Sequence, residues 1–427
     1  MKQLLTNSTG LTGTIQVPGD KSISHRAVMF GALAQGETRV TGFLKADDCL
    51  STISIFRQLG VDIQVTDDLV TIKGRGLAGL TAPTGPLDCG NSGTTMRLMS
   101  GILAGADFDS QLVGDASLSK RPMTRVPKPL SLMGGVVQGQ GDKNLPPLKI
   151  TGGQDLTAIH YDMPVASAQV KSAILLAGLQ AEGETVLVEK ERSRDHTERM
   201  LAQFGVDLDV DGKIIKIKGG QSLTATDIAV PGDISSAAFF IAAALIIPGS
   251  DLTLTNVGTN PTRAGILAVA QAMGGQVDID YLDEDHLRAD IRVRASQLQG
   301  IEIAGDIIPT LIDELPIIAL MASQAQGQTV IRNAEELRVK ETDRIEAVVT
   351  ELSKLGVDIT GTPDGMIIEG PCQLKAADLD SYHDHRIGMM AQIAALLVKS
   401  GEVNLAEADC VSISYPDFYR EVERLND

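Results

Sequence analysis

The chain has 427 residues, 43% of them hydrophobic, with 43 glycines, no tryptophan and 3% aromatic residues, so its core is aliphatic and its length calls for two or three domains. Its 55 acidic and 37 basic side chains give a formal net charge of −18, which excludes nucleic acid or an anionic membrane as the main partner. No apolar run reaches bilayer length, residues 1–5 turn polar at Thr6-Asn7-Ser8 unlike a signal peptide, and Cys49, Cys89, Cys372 and Cys410 form no CxxC pair, all of which points to a reduced, cytoplasmic protein. Without heptads or long apolar patches, a monomer is expected.

In chain order, a strand-like segment over residues 8–17 leads into Pro18-Gly19-Asp20-Lys21-Ser22-Ile23-Ser24-His25-Arg26 and then an apolar run over 27–33. A glycine turn feeding a helix start presents backbone N–H groups and the positive end of the helix dipole to an anion, and Lys21 and Arg26 add full charges there. A concentrated cationic site on an acidic chain points to a small, doubly charged anionic substrate. The resemblance of Gly19-Asp20-Lys21-Ser22 to a P-loop end fails, because Asp20 separates the glycine from the lysine and the upstream glycine spacing is wrong.

Leu69-Val70-Thr71-Ile72-Lys73 alternates as a strand. Gly90-Asn91-Ser92-Gly93-Thr94-Thr95-Met96-Arg97 is a glycine-rich turn whose backbone can approach a phosphate or carboxylate, followed by an arginine inside a helix. Lys120-Arg121-Pro122-Met123 is a basic loop, and Ser167-Ala168-Gln169-Val170-Lys171 puts Ser167 and Lys171 on one helix face. A second strand pattern spans 213–218, and 237–247 is the longest apolar run, of helix-core length. Asp313-Glu314-Leu315-Pro316 reads as an acidic helix start. Residues 338–344 place Lys340, Glu341 and Arg344 around one helical turn, and His383-Asp384-His385-Arg386 opens the last helix of its kind. Taken singly, each has a plainer reading: Arg97 as a local ion pair, 340–344 as a solvated helix face, His383 and His385 as surface histidines, Asp313 and Glu314 as dipole partners. A metal hydrolase finds no HExxH or spaced histidine cluster.

Two patterns recur. Leu59-Gly60-Val61-Asp62, Met133-Gly134-Gly135-Val136, Phe204-Gly205-Val206-Asp207, Met273-Gly274-Gly275 and Leu355-Gly356-Val357-Asp358 each read as a helix end, a glycine C-cap and a strand start, roughly 70 to 80 residues apart. Alanine-rich helices with polar openings begin near Lys21, Asn91, Ser167, Asp233, Pro309 and Asp384. Interleaving the two series predicts about six units of about 70 residues in two groups of three. Val-Pro-Gly-Asp occurs at 17–20 and again at 230–233, as if the chain crosses twice between the groups. This predicts a discontinuous domain of residues 1–20 plus 235–427, a second domain of 21–234, and a site between them; a common αβ pattern without repetition is the alternative.

In order along nearly the whole chain, these motifs resemble the EPSP synthase (3-phosphoshikimate 1-carboxyvinyltransferase) family: Gly19-Asp20-Lys21-Ser22 with Arg26, Gly90-Asn91-Ser92-Gly93-Thr94 with Arg97, Arg121-Pro122-Met123, Ser167-Ala168-Gln169-Val170-Lys171, Asp313-Glu314-Leu315-Pro316, 338–344 and Asp384-His385-Arg386. Arg194-Asp195-His196-Thr197-Glu198 and Asn260-Pro261-Thr262-Arg263 resemble variants of its class II branch. The resemblance implies an α/β (α+β) fold of two domains, each three βαβαββ units in an inverted, barrel-like arrangement, closing on substrate with the active site in the interdomain cleft. It implies transfer of the enolpyruvyl group of phosphoenolpyruvate to the 5-hydroxyl of shikimate 3-phosphate through a tetrahedral intermediate, with no metal or organic cofactor.

Carried over by motif, Ser22, Arg26, Ser167, Ala168, Gln169 and Lys340 would hold shikimate 3-phosphate together with Lys21 and Asp313, and Arg194 would grip its phosphate. Lys21, Asn91, Gly93, Arg121, Gln169, Glu341, Arg344 and Arg386 would hold phosphoenolpyruvate, a site the inhibitor glyphosate would share. Asp313 would take the proton of the attacking hydroxyl and Glu341 would protonate the methylene carbon, assisted by Lys21 and His385. The donor must be protonated and the acceptor ionised, so the two carboxyls need different surroundings. The chain departs from the better-known branch at Ser167-Ala168-Gln169, where that branch has Ser-Ser-Gln, and at 411–415, where it often has a lysine. Gly93 leaves room for glyphosate, whereas the class II motifs argue for reduced sensitivity. The sister enzyme acting on UDP-N-acetylglucosamine carries a reactive cysteine before an Arg-Pro pair; residues 115–122 have none. A noncatalytic anion-binding protein is the other alternative.

Overall fold

The computed structural model describes residues 1–67, 69–285 and 287–426. All five glycines that mark helix ends in the sequence, Gly60, Gly134, Gly205, Gly274 and Gly356, have φ between +82° and +93°. That left-handed conformation lets the chain leave each helix and turn directly into a strand. The chain forms two units, one of Gly19–Val230 and one of Met1–Pro18 with Pro231–Asp427.

In the Gly19–Val230 unit the helices are α1 (Lys21–Leu33), α2 (Asp47–Gln58), α3 (Gly93–Leu103), α4 (Pro127–Leu132), α5 (Ala168–Gly178) and α6 (His196–Gln203). Strand Leu87–Asp88 precedes α3 and lies parallel to Ser110–Val113; α4 then leads to the hairpin Val136–Gln140 and Leu145–Thr151, which completes an antiparallel remainder. His160–Asp162, Glu184–Val188, Leu208–Asp211 and Ile214–Lys218 repeat this connectivity around α5 and α6. The sheet of α1 and α2, Ala34–Thr41 with Leu69–Arg75 and Asp62–Val65, has no leading strand of its own. Leu223–Thr224 and Ile228–Ala229 take that place from the end of the unit. From its second turn on, α1 is buried throughout, as are α3 and α5 apart from a few residues near their N-termini; small and apolar residues dominate all three, and His25, Arg26 and Lys171 are buried with them.

The other unit carries α7 (Ile234–Ile246), α8 (Gly265–Ala272), α9 (Ile308–Leu311), α10 (Leu315–Ala322), α11 (Arg344–Lys354), α12 (His385–Leu396) and α13 (Phe418–Asn426). Around α10 and α11 the four-stranded pattern is complete in Glu302–Ile303, Gly327–Ile331, Gly365–Gly370 and Asp358–Thr362. The other two sheets borrow from the chain start. Thr12–Ile15 leads the sheet of α7 by pairing in parallel with Asp251–Gly258, and Lys2–Gln3 pairs with Asn404–Ala406 beside α12. This borrowing ties residues 1–18 to the C-terminal half of the sequence. Among the described residues no helix is long and apolar enough to cross a membrane.

The structure corrects three local expectations. The strand in 8–17 is confined to Thr12–Ile15. The helix expected near Pro309 is two helices, the four-residue α9 and then α10 at Leu315. Pro309 and Pro316 both sit in first turns, where a missing N–H costs nothing, so the second proline suits a fresh start. Residues 338–344 are not one helical turn: a 3-10 segment ends at Val339, Lys340 is extended, and α11 starts at Arg344, capped by Asp343 through Glu346 N at 3.1 Å.

Two glycines separate backbone strain from steric exclusion. For Gly205→Ala the added methyl would lie 3.7 Å from its nearest neighbour, Thr224 Oγ1, so the expected loss is about 1–2 kcal/mol of left-handed strain alone. For Gly101→Ala the methyl would fall on the carbonyl oxygen of Ala173 in α5, and the expected loss is clearly larger. Urea unfolding of the two variants checks the order; equal losses would show that the α3–α5 approach is not tight.

Candidate active site

In the Gly19–Val230 unit the predicted residues gather at helix starts. Asp20 caps α1 by accepting from Ile23 N at 2.8 Å, Ser92 caps α3 through Thr95 N at 3.1 Å, and Ser167 caps α5 through Val170 N at 3.4 Å. Lys21, first in α1, forms an ion pair with the buried carboxylate of Asp48. Asn91, Gly93, Arg121 and Gln169 come together at the start of α3. Arg121 Nη2 donates to Asn91 Oδ1 at 2.8 Å, Arg97 Nη1 to Gln169 Oε1 at 2.6 Å, and Gln169 Nε2 to Thr94 Oγ1 at 2.9 Å. A methyl on Gly93 would lie 2.6 Å from Arg97 Nη1 and 3.5 Å from Arg121 Nη1.

Arg26 is 3% exposed and spans three helices. Its Nε donates to Thr197 Oγ1 at 2.7 Å, Nη2 to Ser172 Oγ at 2.9 Å and Nη1 to the Ser22 carbonyl at 3.0 Å. Ser22, Ser167, Ala168 and Arg194 are half-buried, Arg194 just ahead of α6. His25 lies under Lys21 and Arg26 with Nδ1 2.8 Å from Thr52 Oγ1; burial, then the charges of Lys21 and Arg26, hold its pKa well below the ordinary histidine value. Lys171 does not share an outward face with Ser167. It is buried, and its Nζ meets Glu198 Oε1 at 2.6 Å and Glu189 Oε1 at 3.1 Å. Burial raises the pKa of Glu198, Lys171 pulls it back, and Glu189 adds to the rise.

In the other unit the sequence candidates surround Arg344, which is 1% exposed. Its Nε donates to Asp384 Oδ2 at 2.7 Å, Nη1 to Asp313 Oδ1 at 3.1 Å and Nη2 to Glu341 Oε2 at 2.5 Å. Lys340 Nζ lies 3.3 Å from the same Asp313 oxygen. Burial, the largest influence on Arg344, disfavours its charge, but Asp384, Glu341 and Asp313 outweigh it and raise its pKa. Asp384 also caps α12, accepting from Arg386 N at 2.9 Å, with the buried His385 between them in sequence. Arg386 Nη1 stands 3.8 Å from Glu314 Oε1, and that carboxylate also accepts from Ser235 Oγ. Ser235 and Asp233 in turn take bonds from Arg263 Nη2.

Sequence reasoning missed Asp48, Glu314, Thr197 and Ser172 as partners of the charged candidates. Asp48 had only its place in an acidic first turn to signal it, and the hydroxyls had nothing. Among the described residues no group of three or more His, Cys, Asp or Glu side chains could hold a metal ion.

Two units of repeated sheets define an architecture that solved proteins share. The enolpyruvyl transferase NikO from Streptomyces tendae matches over 99% of this chain and 97% of its own with a TM-score of 0.80 at 19% identity, a likeness of fold. EPSP synthase from Acinetobacter baumannii matches over 99% and 97% with a TM-score of 0.88 at 47% identity. In sequence, the profile of the EPSP synthase (3-phosphoshikimate 1-carboxyvinyltransferase) family spans residues 5–422. The 3-phosphoshikimate 1-carboxyvinyltransferase of Enterococcus faecalis is 58% identical over 424 residues, 99% of this chain and 100% of the relative. That of Streptococcus equi subsp. zooepidemicus is 57% identical over 423 residues, 99% of each. The chain belongs to the EPSP synthase family and is a transferase.

Because the fold keeps His25 neutral, its contribution to stability is present above the unfolded value of about 6.5 and is lost as pH falls below it. One proton of linkage gives a slope of up to about 1.4 kcal/mol per pH unit. His25→Asn is expected to flatten that part of the curve between pH 7 and 5.5, measured by urea unfolding. An unchanged slope would place the acid sensitivity elsewhere.

Proposed function

We propose that the chain transfers the enolpyruvyl group of phosphoenolpyruvate to the 5-hydroxyl of shikimate 3-phosphate and releases phosphate; the family match over residues 5–422 is the observation that carries this. The 5-hydroxyl oxygen adds to C2 of phosphoenolpyruvate while C3 takes a proton, giving a tetrahedral ketal phosphate. Loss of phosphate from C2 and of a proton from C3 then restores the double bond. Asp313, beside the cations of Lys340 and Arg344, takes the hydroxyl proton. Glu341 delivers the proton to C3, with Lys21 and His385 assisting.

Each substrate carries a phosphate and a carboxylate, which arginine recognises best through paired donors. Phosphoenolpyruvate is held by Lys21, Asn91, Gly93, Arg121, Gln169, Glu341, Arg344 and Arg386. The hydrogen-bonded group at the start of α3 and the Arg344–Asp384–Arg386 group support this assignment. Shikimate 3-phosphate is held by Lys21, Ser22, Arg26, Ser167, Ala168, Gln169, Asp313 and Lys340, with Arg194 at its phosphate. Arg26 acts through its charge and through Ser22, whose carbonyl it holds. Asp313 and Glu341 belong to one unit, Lys21, Arg121 and Gln169 to the other. The net charge of −18 supports a monomer acting on small metabolites, and four cysteines without a CxxC pair support a reduced, cytoplasmic setting.

Phosphate release from phosphoenolpyruvate is expected with shikimate 3-phosphate and not with UDP-N-acetylglucosamine. Turnover with the nucleotide sugar would overturn the acceptor, and binding of both substrates without turnover would favour a noncatalytic protein. Asp313→Asn and Glu341→Gln are each expected to lower kcat by about 10²–10⁴ with the fold intact.

Glyphosate competes at the phosphoenolpyruvate site under the same reading. Gly93→Ala forces the Arg97 guanidinium aside, since the methyl lies 2.6 Å from its Nη1. The variant is expected to raise both KM for phosphoenolpyruvate and Ki for glyphosate, read from inhibition curves at fixed shikimate 3-phosphate. Unchanged constants would place both ligands away from α3.

A further inference from the structure

Immediately ahead of α12, two consecutive residues, Tyr382 and His383, have φ of 54° and 58°. In that left-handed region a Cβ crowds the neighbouring carbonyl, and two adjacent residues other than glycine persist there only when their surroundings hold them. The next residues are Asp384, His385 and Arg386, already placed in the site.

A clamp from α11 holds this turn. Glu351 is fully buried in α11 and takes four bonds. Tyr382 Oη donates to its Oε1 at 2.6 Å and the Asp380 N–H to its Oε2 at 3.0 Å, while Lys354 Nζ lies 2.8 and 2.9 Å from its two oxygens. The Tyr382 N–H donates to Asp380 Oδ1 at 2.7 Å. Burial and the Glu351 carboxylate both raise the pKa of the phenol, so the hydroxyl keeps the proton it donates. On the far side of the turn, Arg344 binds Asp384, and the Asp384 N–H donates to the Ser381 carbonyl at 2.8 Å. Arg344 and Glu351 lie two helical turns apart on one face of α11. One helix therefore grips the turn on both sides of the left-handed pair.

We propose that Glu351 and Tyr382 are positioning residues for the phosphoenolpyruvate end of the site: their clamp holds the left-handed turn so that Asp384 meets Arg344 and caps α12 with Arg386 in place. This rests on the reading of Arg344 and Arg386 as phosphoenolpyruvate residues.

The test uses the full chain. Tyr382→Phe is expected to lower kcat/KM for phosphoenolpyruvate about tenfold, mainly through KM, the effect of losing one hydrogen bond to a charged group. KM for shikimate 3-phosphate is expected to change less than about twofold on the same scale. Amides 384–388 are expected to exchange faster by hydrogen-exchange mass spectrometry. Adding His383→Gly, which removes a Cβ from the left-handed pair, is expected to restore both constants and protection. His383→Gly alone controls for loss of the exposed side chain near Glu407. An unchanged KM for phosphoenolpyruvate in Tyr382→Phe, or a double variant no better than the single, would overturn the clamp. If the unmodified chain does not turn over the two substrates, the functional reading fails, while the exchange data still decide the clamp.

Discussion

The structure depends on closing the N-terminal ends of buried helices. A helix end leaves backbone N–H groups without intrahelical partners, and a short side chain just ahead of the helix can accept from one of them. Five inner helices solve this with one short side chain each: Asp20, Ser92, Ser167, Asp233 and Asp384 accept from N–H groups of the first turn at 2.8 to 3.4 Å. The residues just beyond these caps are Lys21, Gly93, Ala168 with Gln169, and His385 with Arg386. A cap fixes the direction of the first turn, so the requirement that stabilises each helix also aims the side chains that follow it. The exception is α10, where the Glu314 side chain turns to Ser235 and Arg386 instead of capping, and there the chain needs the separate short α9 to approach the helix.

Buried cations follow a related logic. A guanidinium or ammonium taken out of water is costly unless paired and hydrogen-bonded. Arg344 meets three carboxylates, and Lys171 meets two. The two clusters differ in what they fix. Lys171 joins Glu189 at the end of a strand to Glu198 in α6, and so holds both ends of the segment that carries Arg194. Arg344 joins the segment of Asp313 and Glu314 to the turn ahead of α12. Removing either cation would leave carboxylates facing one another in a dry interior, so each is indispensable to the geometry around it whatever its part in chemistry.

Most of the repeat was legible because its signals are local. A glycine C-cap needs only its own φ, and an N-cap only three residues of chain, so Gly60 through Gly356 and the helix starts at Lys21, Ser167 and Asp384 could be read from short windows. Strand borrowing was visible indirectly, through the doubled Val-Pro-Gly-Asp, because a chain leaving one unit for another repeats the same turn. What could not be read depends on contacts distant in sequence. Ser167 and Lys171 share a helix face by spacing, yet Lys171 points at Glu189 and Glu198, which no periodicity reveals. Arg26 reads in the sequence only as an added positive charge, because its partners Ser172 and Thr197 lie 146 and 171 residues on and are ordinary hydroxyl residues. The stretch 338–344 misled for the opposite reason. Its charges suit a helical turn, but Asp343 is a better cap than a helix interior residue, so the helix begins one position after it.

An acidic chain that binds doubly anionic substrates must keep cations charged, placed and still able to attract anions. Pairing each cation with protein carboxylates meets the first two needs: Lys21 with Asp48, Lys340 with Asp313, Arg386 with Glu314. The third need is met by geometry. Arg344 spends its donors on three carboxylates, whereas Lys21 pairs with Asp48 and Arg386 with Glu314 at the start of a capped helix, where first-turn N–H groups and the helix dipole favour an anion. The buried Arg344 therefore sets positions, while Lys21 and Arg386 stand at helix starts. The same division explains why α11 needs two grips on the turn before α12. Arg344 fixes Asp384 through two hydrogen bonds on one side of the left-handed pair, and the bond from Tyr382 to Glu351 holds the other side.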